Sequence, residues 1–182
     1  MKQKEKICPV EKAGMLDSFF RRIIQNPKKI IKPYIKEGMM VMDLGCGPGF
    51  FTVEMAKILQ NSGKVVAVDI QEGMLKLLEA KIKGTDFQKI VTLHQAENDS
   101  LSFSGKVDFI LAFYVVHEIS RDNLFSELKR ILNPNGKILI VEPNFHISKI
   151  VYLEMLDNLI KEGFEIISKP KIFLSRAVLV KS

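Results

Sequence analysis

Asp43 stands between an apolar run and three alternating glycines, Gly45, Gly47 and Gly49, in the stretch VMDLGCGPGF. Glycine admits positive φ and lets a ligand lie close to the main chain, so this loop suits a ligand held against its backbone. A dinucleotide loop reads G-x-G-x-x-G and seats a diphosphate on a helix N-terminus. Here the third glycine comes one position early, and Phe50 occupies its expected place. The Asp43 carboxylate would also repel a diphosphate. It suits a positive group, and S-adenosylmethionine carries an ammonium and a sulfonium but no phosphate. Asp69 follows Gly47 by twenty-two residues. An acid about twenty positions beyond a glycine loop can accept hydrogen bonds from ribose hydroxyls.

A second group of polar residues lies in FYVVHE: Tyr114, His117 and Glu118. Methyl transfer from a sulfonium is an in-line displacement in which the cofactor carries the reactivity. The protein mainly orients the reactants, and a base helps where the acceptor must lose a proton. Tyr114 can line the methyl site or accept a proton, and His117 titrates near neutral pH. Against this, His117 and Glu118 can simply begin a helix, and Tyr114 can pack under the N-terminal segment. His94 alternates with apolar residues and reads as structural. His146 follows EPNF near the expected mouth of the site.

These residues need an alternating α/β framework to hold them. Apolar β-type runs fall at 39–44, 64–69, 89–93, 107–113 and 137–141, with helix-like stretches at 50–60, 72–83, 121–132 and 147–162. Strands this apolar are buried on both faces, so helices must cover both sides of a mostly parallel sheet. Two last runs, 164–168 and 174–181, leave no room for a helix between them and predict an antiparallel hairpin. NPNG at 133–136 predicts a helix stop and a turn. Near the N-terminus, Leu16, Phe19, Phe20, Ile23 and Ile24 have helical spacing. Asn26-Pro27 predicts a helix end and a new cap, and Pro33 a kink or stop.

The 182 residues are 47% hydrophobic, enough for one domain with a substantial core and too many for a disordered chain. No apolar run reaches membrane-spanning length and no signal peptide is evident, which predicts a cytoplasmic protein with no membrane partner. Cys8 and Cys46 supply neither a disulfide framework nor a metal-ligand spacing, so no metal is expected. The net charge of +6 lies entirely in residues 1–38, which hold ten Lys/Arg and four Asp/Glu; the rest has seventeen of each. Such a run is ordinarily a solvated helix surface. The sharper reading makes residues 1–38 a helical lid over the acceptor site, leaving 39–182 as the core of a single domain spanning 1–182. The lid's lysines would then favour an acidic acceptor.

VMDLGCGPGFFT, VVAVDI, HQAEND, VDFILAFYVVHEIS and ELKRILNPNGKILIVEP resemble, in order, the motifs of the class I S-adenosylmethionine-dependent methyltransferases. The resemblance runs from about Met39 to Pro143, and the last hairpin is similar to the family's final strands. It implies a Rossmann-like three-layer sandwich whose seven-stranded, mostly parallel sheet ends in an antiparallel hairpin, the last strand inserted between the fifth and sixth. It implies that Gly45 and Gly47, with Cys46 between them, approach the cofactor's methionine part beside Asp43. Asp69 matches the ribose acid, Ile70 the residue packing on adenine, and Ala96 and Glu97 the adenine-side loop. Many members have Asp where this chain has Gln95, so Gln95, Glu97 or Asn98 must take over the adenine amino group. Ala112 and Phe113 match the residues below the transferable methyl.

The expected function is methyl transfer from S-adenosylmethionine to a small-molecule acceptor. The alternative is a methyltransferase for RNA or protein docked through the basic N-terminal segment. A dehydrogenase is disfavoured by the misplaced glycine, and a non-catalytic cofactor-binding module is a further reading. The strand-four residues AFYV lack the Asn/Asp-Pro-Pro-aromatic loop of nucleic-acid amino-methyltransferases.

Overall fold

The computed structural model describes residues 25–119 and 123–182. The stripe from Leu16 to Ile24 and the start of the helix predicted at 121–132 lie outside the described residues. Strands β1 (Met40–Leu44), β2 (Lys64–Asp69), β3 (Val91–Gln95), β4 (Val107–Phe113), β5 (Leu132–Pro143), β6 (Glu165–Ser168) and β7 (Ser175–Lys181) form one sheet. Its order is β3-β2-β1-β4-β5-β7-β6. β1 to β5 are mutually parallel, while β7 runs antiparallel between β5 and β6. This is the expected Rossmann-like sandwich.

Alternation along each strand divides the core in two. Val41, Phe109, Leu111 and Phe113 face α1 (Pro27–Ile31), α2 (Thr52–Leu59) and α3 (Glu72–Ile82). Met42, Leu44, Ile110 and Ala112 face α4 (Leu124–Ile131) and α5 (Lys149–Lys161). The strands therefore read as continuous apolar runs because both of their faces are covered.

Two strand starts differ by more than one residue from the sequence reading. β3 begins at Val91, because Asp86–Lys89 closes a 3₁₀ turn in which Lys89 pairs with Asp86 at 2.9 Å. β5 begins at Leu132, ahead of the predicted turn. Leu132 pairs with Val107 and the register then jumps to Lys137 opposite Phe109, so NPNG bulges out within the strand. α1 is capped as predicted, Asn26 Oδ1 accepting from the Lys29 N–H at 3.1 Å, and it ends before Pro33. Its Ile31, together with Ile35, is buried, and Tyr34 stacks on Phe109 at 5.8 Å. Ile31, Tyr34 and Ile35 thus pack on the sheet, while Lys28, Lys29 and Lys32 stay exposed.

Candidate active site

The sheet order reverses between β1 and β4, which opens a crevice at the carboxyl ends of the strands. The glycine loop rises there from β1. The N–H groups of Gly45 and Cys46 donate to the Val68 carbonyl at 2.8 and 2.9 Å, pinning the loop to β2. The three glycines have different tasks. All have positive φ, but a Cβ on Gly45 would collide with Val115 and one on Gly49 with Leu78, whereas one on Gly47 meets open space. The first and third are bare for packing; the second faces the crevice.

Asp69 closes β2 directly beside Gly47. Its Oδ2 accepts from the Gly47 N–H and its Oδ1 from the Gln71 N–H, both at 2.9 Å. Burial raises this carboxyl above the ordinary range, against the lowering pull of the Gln71, Gly47 and Ile70 N–H groups. The loop after β3 docks on the same corner: Ala96 N–H donates to the Asp69 carbonyl at 3.0 Å and Gln95 Nε2 to the Ile70 carbonyl at 3.2 Å. Glu97 is exposed, its N–H donating to the Ser100 carbonyl at 2.9 Å.

Two residues of the loop motif turn inward. Asp43 is buried within β1 and accepts from the Thr52 hydroxyl at 2.6 Å, at the first residue of α2. Negative charge is favourable at a helix N-terminus, so Asp43 ties the loop to the helix it opens. The Cys46 thiol lies in the core beneath α2 and α3, and burial, then Asp43 and Asp69, push it well above its ordinary value. Cys46 can meet a ligand in the crevice only through its backbone.

Beyond β4 the side chains diverge. Ala112 is fully buried under α4 and α5. Phe113 packs on the other face, 4.5 Å from the Phe51 ring and 4.4 Å from Tyr114. Tyr114 has φ +60°, uncommon for a bulky residue. Its hydroxyl lies 2.6 Å from both Gln25 Nε2 and Ser175 Oγ.

His117 turns to β5 instead. Its Nδ1 lies 2.5 Å from Glu142 Oε2, and its backbone N–H donates to Glu142 Oε1 at 3.3 Å. Burial lowers the His117 pKa, but the hydrogen bond and charge of Glu142, with the charge of Glu118, outweigh it and leave the imidazole above its ordinary value. Glu118 is itself raised, by burial first and then by Asp69 and Glu142, with His117 pulling the other way. The His146 ring lies 5.2 Å from that of His117. His94 is occupied structurally, its Nε2 lying 2.6 Å from the Leu101 carbonyl. Tyr114 and His117, paired by the sequence reading, therefore point to different partners.

A family described as "Methyltransferase domain" matches residues 35–172. The chain belongs to this family. Residues 35–172 thus form a methyltransferase domain of the S-adenosylmethionine-dependent kind. It is 31% identical over 129 residues to a demethylmenaquinone methyltransferase of Lactobacillus johnsonii, covering 69% of this chain and 53% of that one. It is 31% identical over 122 residues to a ubiquinone/menaquinone biosynthesis C-methyltransferase, UbiE, of a Shewanella species, covering 64% and 49%. The chain thus spans about half the length of these relatives. A SAM-dependent methyltransferase of Aquifex aeolicus superposes with a TM-score of 0.86 at 25% identity, covering 96% of this chain and 98% of that one.

The residues present fit the methyltransferase cofactor. The open space over Gly47 can admit its methionine part, and Asp69 retains lone pairs for ribose hydroxyls. Because Gln95 Nε2 is spent on the Ile70 carbonyl, its Oε1 remains to accept from the adenine amino group. Among the described residues no three His, Cys, Asp or Glu side chains could hold a metal ion. The sequence reading missed Glu142. Its one signal was an acid closing the otherwise apolar strand ILIVEP, and only the pairing of β4 with β5 brings it to His117.

Proposed function

We propose that this methyltransferase acts on a neutral, largely apolar small molecule that loses a proton when it is methylated. The supporting observation is a cleft of about 230 Å³ with His117 and Glu142 on its wall and Val116, Phe125, Ile147 and Met155 among its apolar lining. Small-molecule sites combine such a lining with a few placed polar groups. The bound cofactor supplies an electrophilic methyl on a good leaving group. Glu142 accepts the Nδ1 proton of His117, which makes Nε2 the basic nitrogen. Nε2 then takes the acceptor's proton, and the Glu142 carboxylate stabilises the imidazolium that results. The charges of Asp69 and Glu142 both raise Glu118, so the site favours a cationic cofactor and disfavours an anionic acceptor. A neutral acceptor thus replaces the acidic one anticipated from the N-terminal charge. The names of the quinone-pathway relatives support a hydroxylated aromatic acceptor.

Residue 25 supports a role for the N-terminal segment. Gln25 Nε2 donates to the Tyr114 hydroxyl, so the first described residue meets the site, where a closing element would exclude water.

The test is transfer of an isotopically labelled methyl group to a panel of hydroxylated aromatics and quinols, read by product mass, alongside RNA and protein. Transfer to a panel member, lost in His117→Ala with cofactor binding kept, is expected. Transfer to RNA or protein alone would overturn the proposal.

A further inference from the structure

The β5–α5 loop and the β6–β7 turn lie side by side at the site end of the sheet. The Asn144 N–H donates to the Leu174 carbonyl at 3.0 Å, and Arg176 Nη1 donates to the carbonyls of Asn144 and Ile147 at 3.4 and 2.6 Å. Large apolar side chains project from this platform and from the first turn of α5: Phe145 is 75% exposed, Ile150 69%, Phe173 60% and Leu174 50%. Single exposed apolar residues are ordinary, but a group gathered on adjoining loop tips marks an interaction surface. The two chain segments that carry it are basic, and the exposed Glu154 follows one turn further along α5. Segments 143–153 and 168–176 contain Lys149, Lys169, Lys171 and Arg176 and no Asp or Glu. The three lysines are exposed.

We propose that this surface docks on an anionic lipid bilayer. Phe145, Ile150, Phe173 and Leu174 enter the boundary between headgroups and acyl chains, and Lys149, Lys169 and Lys171 meet anionic headgroups. Apolar insertion and electrostatic attraction are the two contributions that hold a peripheral protein on such a surface. A second copy of the chain fits less well. In a two-fold contact the same patch faces itself, which would set like charges against each other. Single-stranded RNA fits less well too, because it needs stacking platforms and Ile150 and Leu174 offer none. Among the described residues no helix is long and apolar enough to cross a membrane, and docking requires none. The proposal revises the expectation of no membrane partner. It also has a functional consequence: Phe145 meets Tyr114 edge-on at 6.4 Å, so the docked face adjoins the candidate site, where an acceptor dissolved in the bilayer could enter. The docking itself does not depend on the acceptor reading.

The chain contains no tryptophan, so Phe173→Trp in the full-length protein is a single fluorescent reporter. Its emission should shift to the blue, and the protein should co-sediment, with vesicles containing phosphatidylglycerol. Vesicles of phosphatidylcholine alone should do neither. Adding Lys169→Glu and Lys171→Glu should lower partitioning by about tenfold or more, and Phe145→Ser should lower it further. Salt at about 1 M should release the protein, the screening length then being about 3 Å. All the changed positions are exposed, and circular dichroism checks the fold. No blue shift with anionic vesicles overturns the proposal. So does binding that survives both the lysine and the Phe145 changes, because it would then arise elsewhere in the chain. A shift that depends on protein concentration without vesicles also overturns it, since a second copy would be covering the patch.

Discussion

The two halves of the sheet's carboxyl edge are built differently. On the β1–β3 side the site is made mostly of backbone groups, joined by the side chains of Asp69 and Gln95. Gly45 and Cys46 share the Val68 carbonyl, Gly47 meets Asp69, and Ala96 meets the Asp69 carbonyl. On the β4–β5–β7 side it is made of side chains from distant positions. Tyr114 meets Ser175 and Gln25 across 61 and 89 residues, and His117 meets Glu142 across 25. Backbone donors and acceptors are the same whatever the residue, so the first half can keep one ligand while sequences change. The second half depends on every side chain it uses, and a new acceptor needs only a few replacements there.

The comparison breaks first at Gly47. Gly47→Val places a branched side chain in the crevice at φ +52° and should weaken S-adenosylmethionine binding by about 100-fold or more, measured by calorimetric titration. The protein should stay folded, less stable by the strain of a β-branched residue at positive φ, because the new Cβ itself meets no protein atom. Gly49→Ala should do the reverse. It overlaps Leu78 at a positive φ and should cost about 2–4 kcal/mol of stability in thermal or denaturant melting. Equal effects of the two changes on binding and on stability would mean the loop is uniform. Asp69→Ala should follow, with about a 10- to 150-fold loss of affinity if the carboxylate holds the ribose. An unchanged dissociation constant in the folded variant removes Asp69 from the cofactor site.

On the acceptor side, Glu142→Gln should lower kcat/KM by about tenfold near pH 7, part of what a general base contributes, with cofactor affinity unchanged. The pH profile separates a positioning role from a structural one. His117 lies above its ordinary value because of Glu142, so the acidic limb of the wild-type profile should stand above about pH 6.5. Removing the Glu142 charge should move that limb to lower pH. Stability should respond with the matching sign. A raised folded-state pKa stabilises the protein below about pH 6.5, and that contribution fades as pH rises through the folded value. The variant should therefore lose more stability at about pH 6 than at about pH 8. A uniform fall in activity with no movement of the limb would leave Glu142 with packing alone.

The same division explains what the sequence made legible. The strands, the helices on both faces and the final hairpin follow from apolar periodicity, and the glycine loop and Asp69 follow from spacing along a single βαβ unit. The β5 bulge was not legible, because NPNG carries ordinary turn residues and only the Leu132–Val107 pairing keeps it inside the strand. The inward turn of Asp43 was hidden for a similar reason: nothing in the spacing shows that its carboxylate accepts from the Thr52 hydroxyl at 2.6 Å. Glu142 was invisible as a partner because nothing local links it to His117. The packed state of Ile31, Tyr34 and Ile35 was masked by the lysines around them, Lys28, Lys29, Lys32 and Lys36, whose charge suggested a free surface.

Gln95 carries the smallest effect and tests whether the backbone-built half is as tolerant as its construction implies. The family resemblance implies Asp here, yet a shorter carboxylate could not donate to the Ile70 carbonyl as Gln95 Nε2 does at 3.2 Å. The amide braces the corner to the residue after β2, and its Oε1 is expected to accept from the adenine amino group. Losing one neutral hydrogen bond costs about 0.5–1.5 kcal/mol, so Gln95→Ala should weaken the cofactor product S-adenosylhomocysteine by only about 2- to 12-fold. The sharper measurement uses its inosine analogue, which carries an oxygen in place of the amino group and has no donor to offer there. The unchanged protein should prefer the adenine form, and Gln95→Ala should bind the two forms nearly equally. If the preference survives intact, the amino group is read by Glu97 or Asn98 instead, and Gln95 only braces the loop. If affinity collapses for both forms, the brace matters more than the readout, and this corner depends on its side chain as much as the acceptor side does.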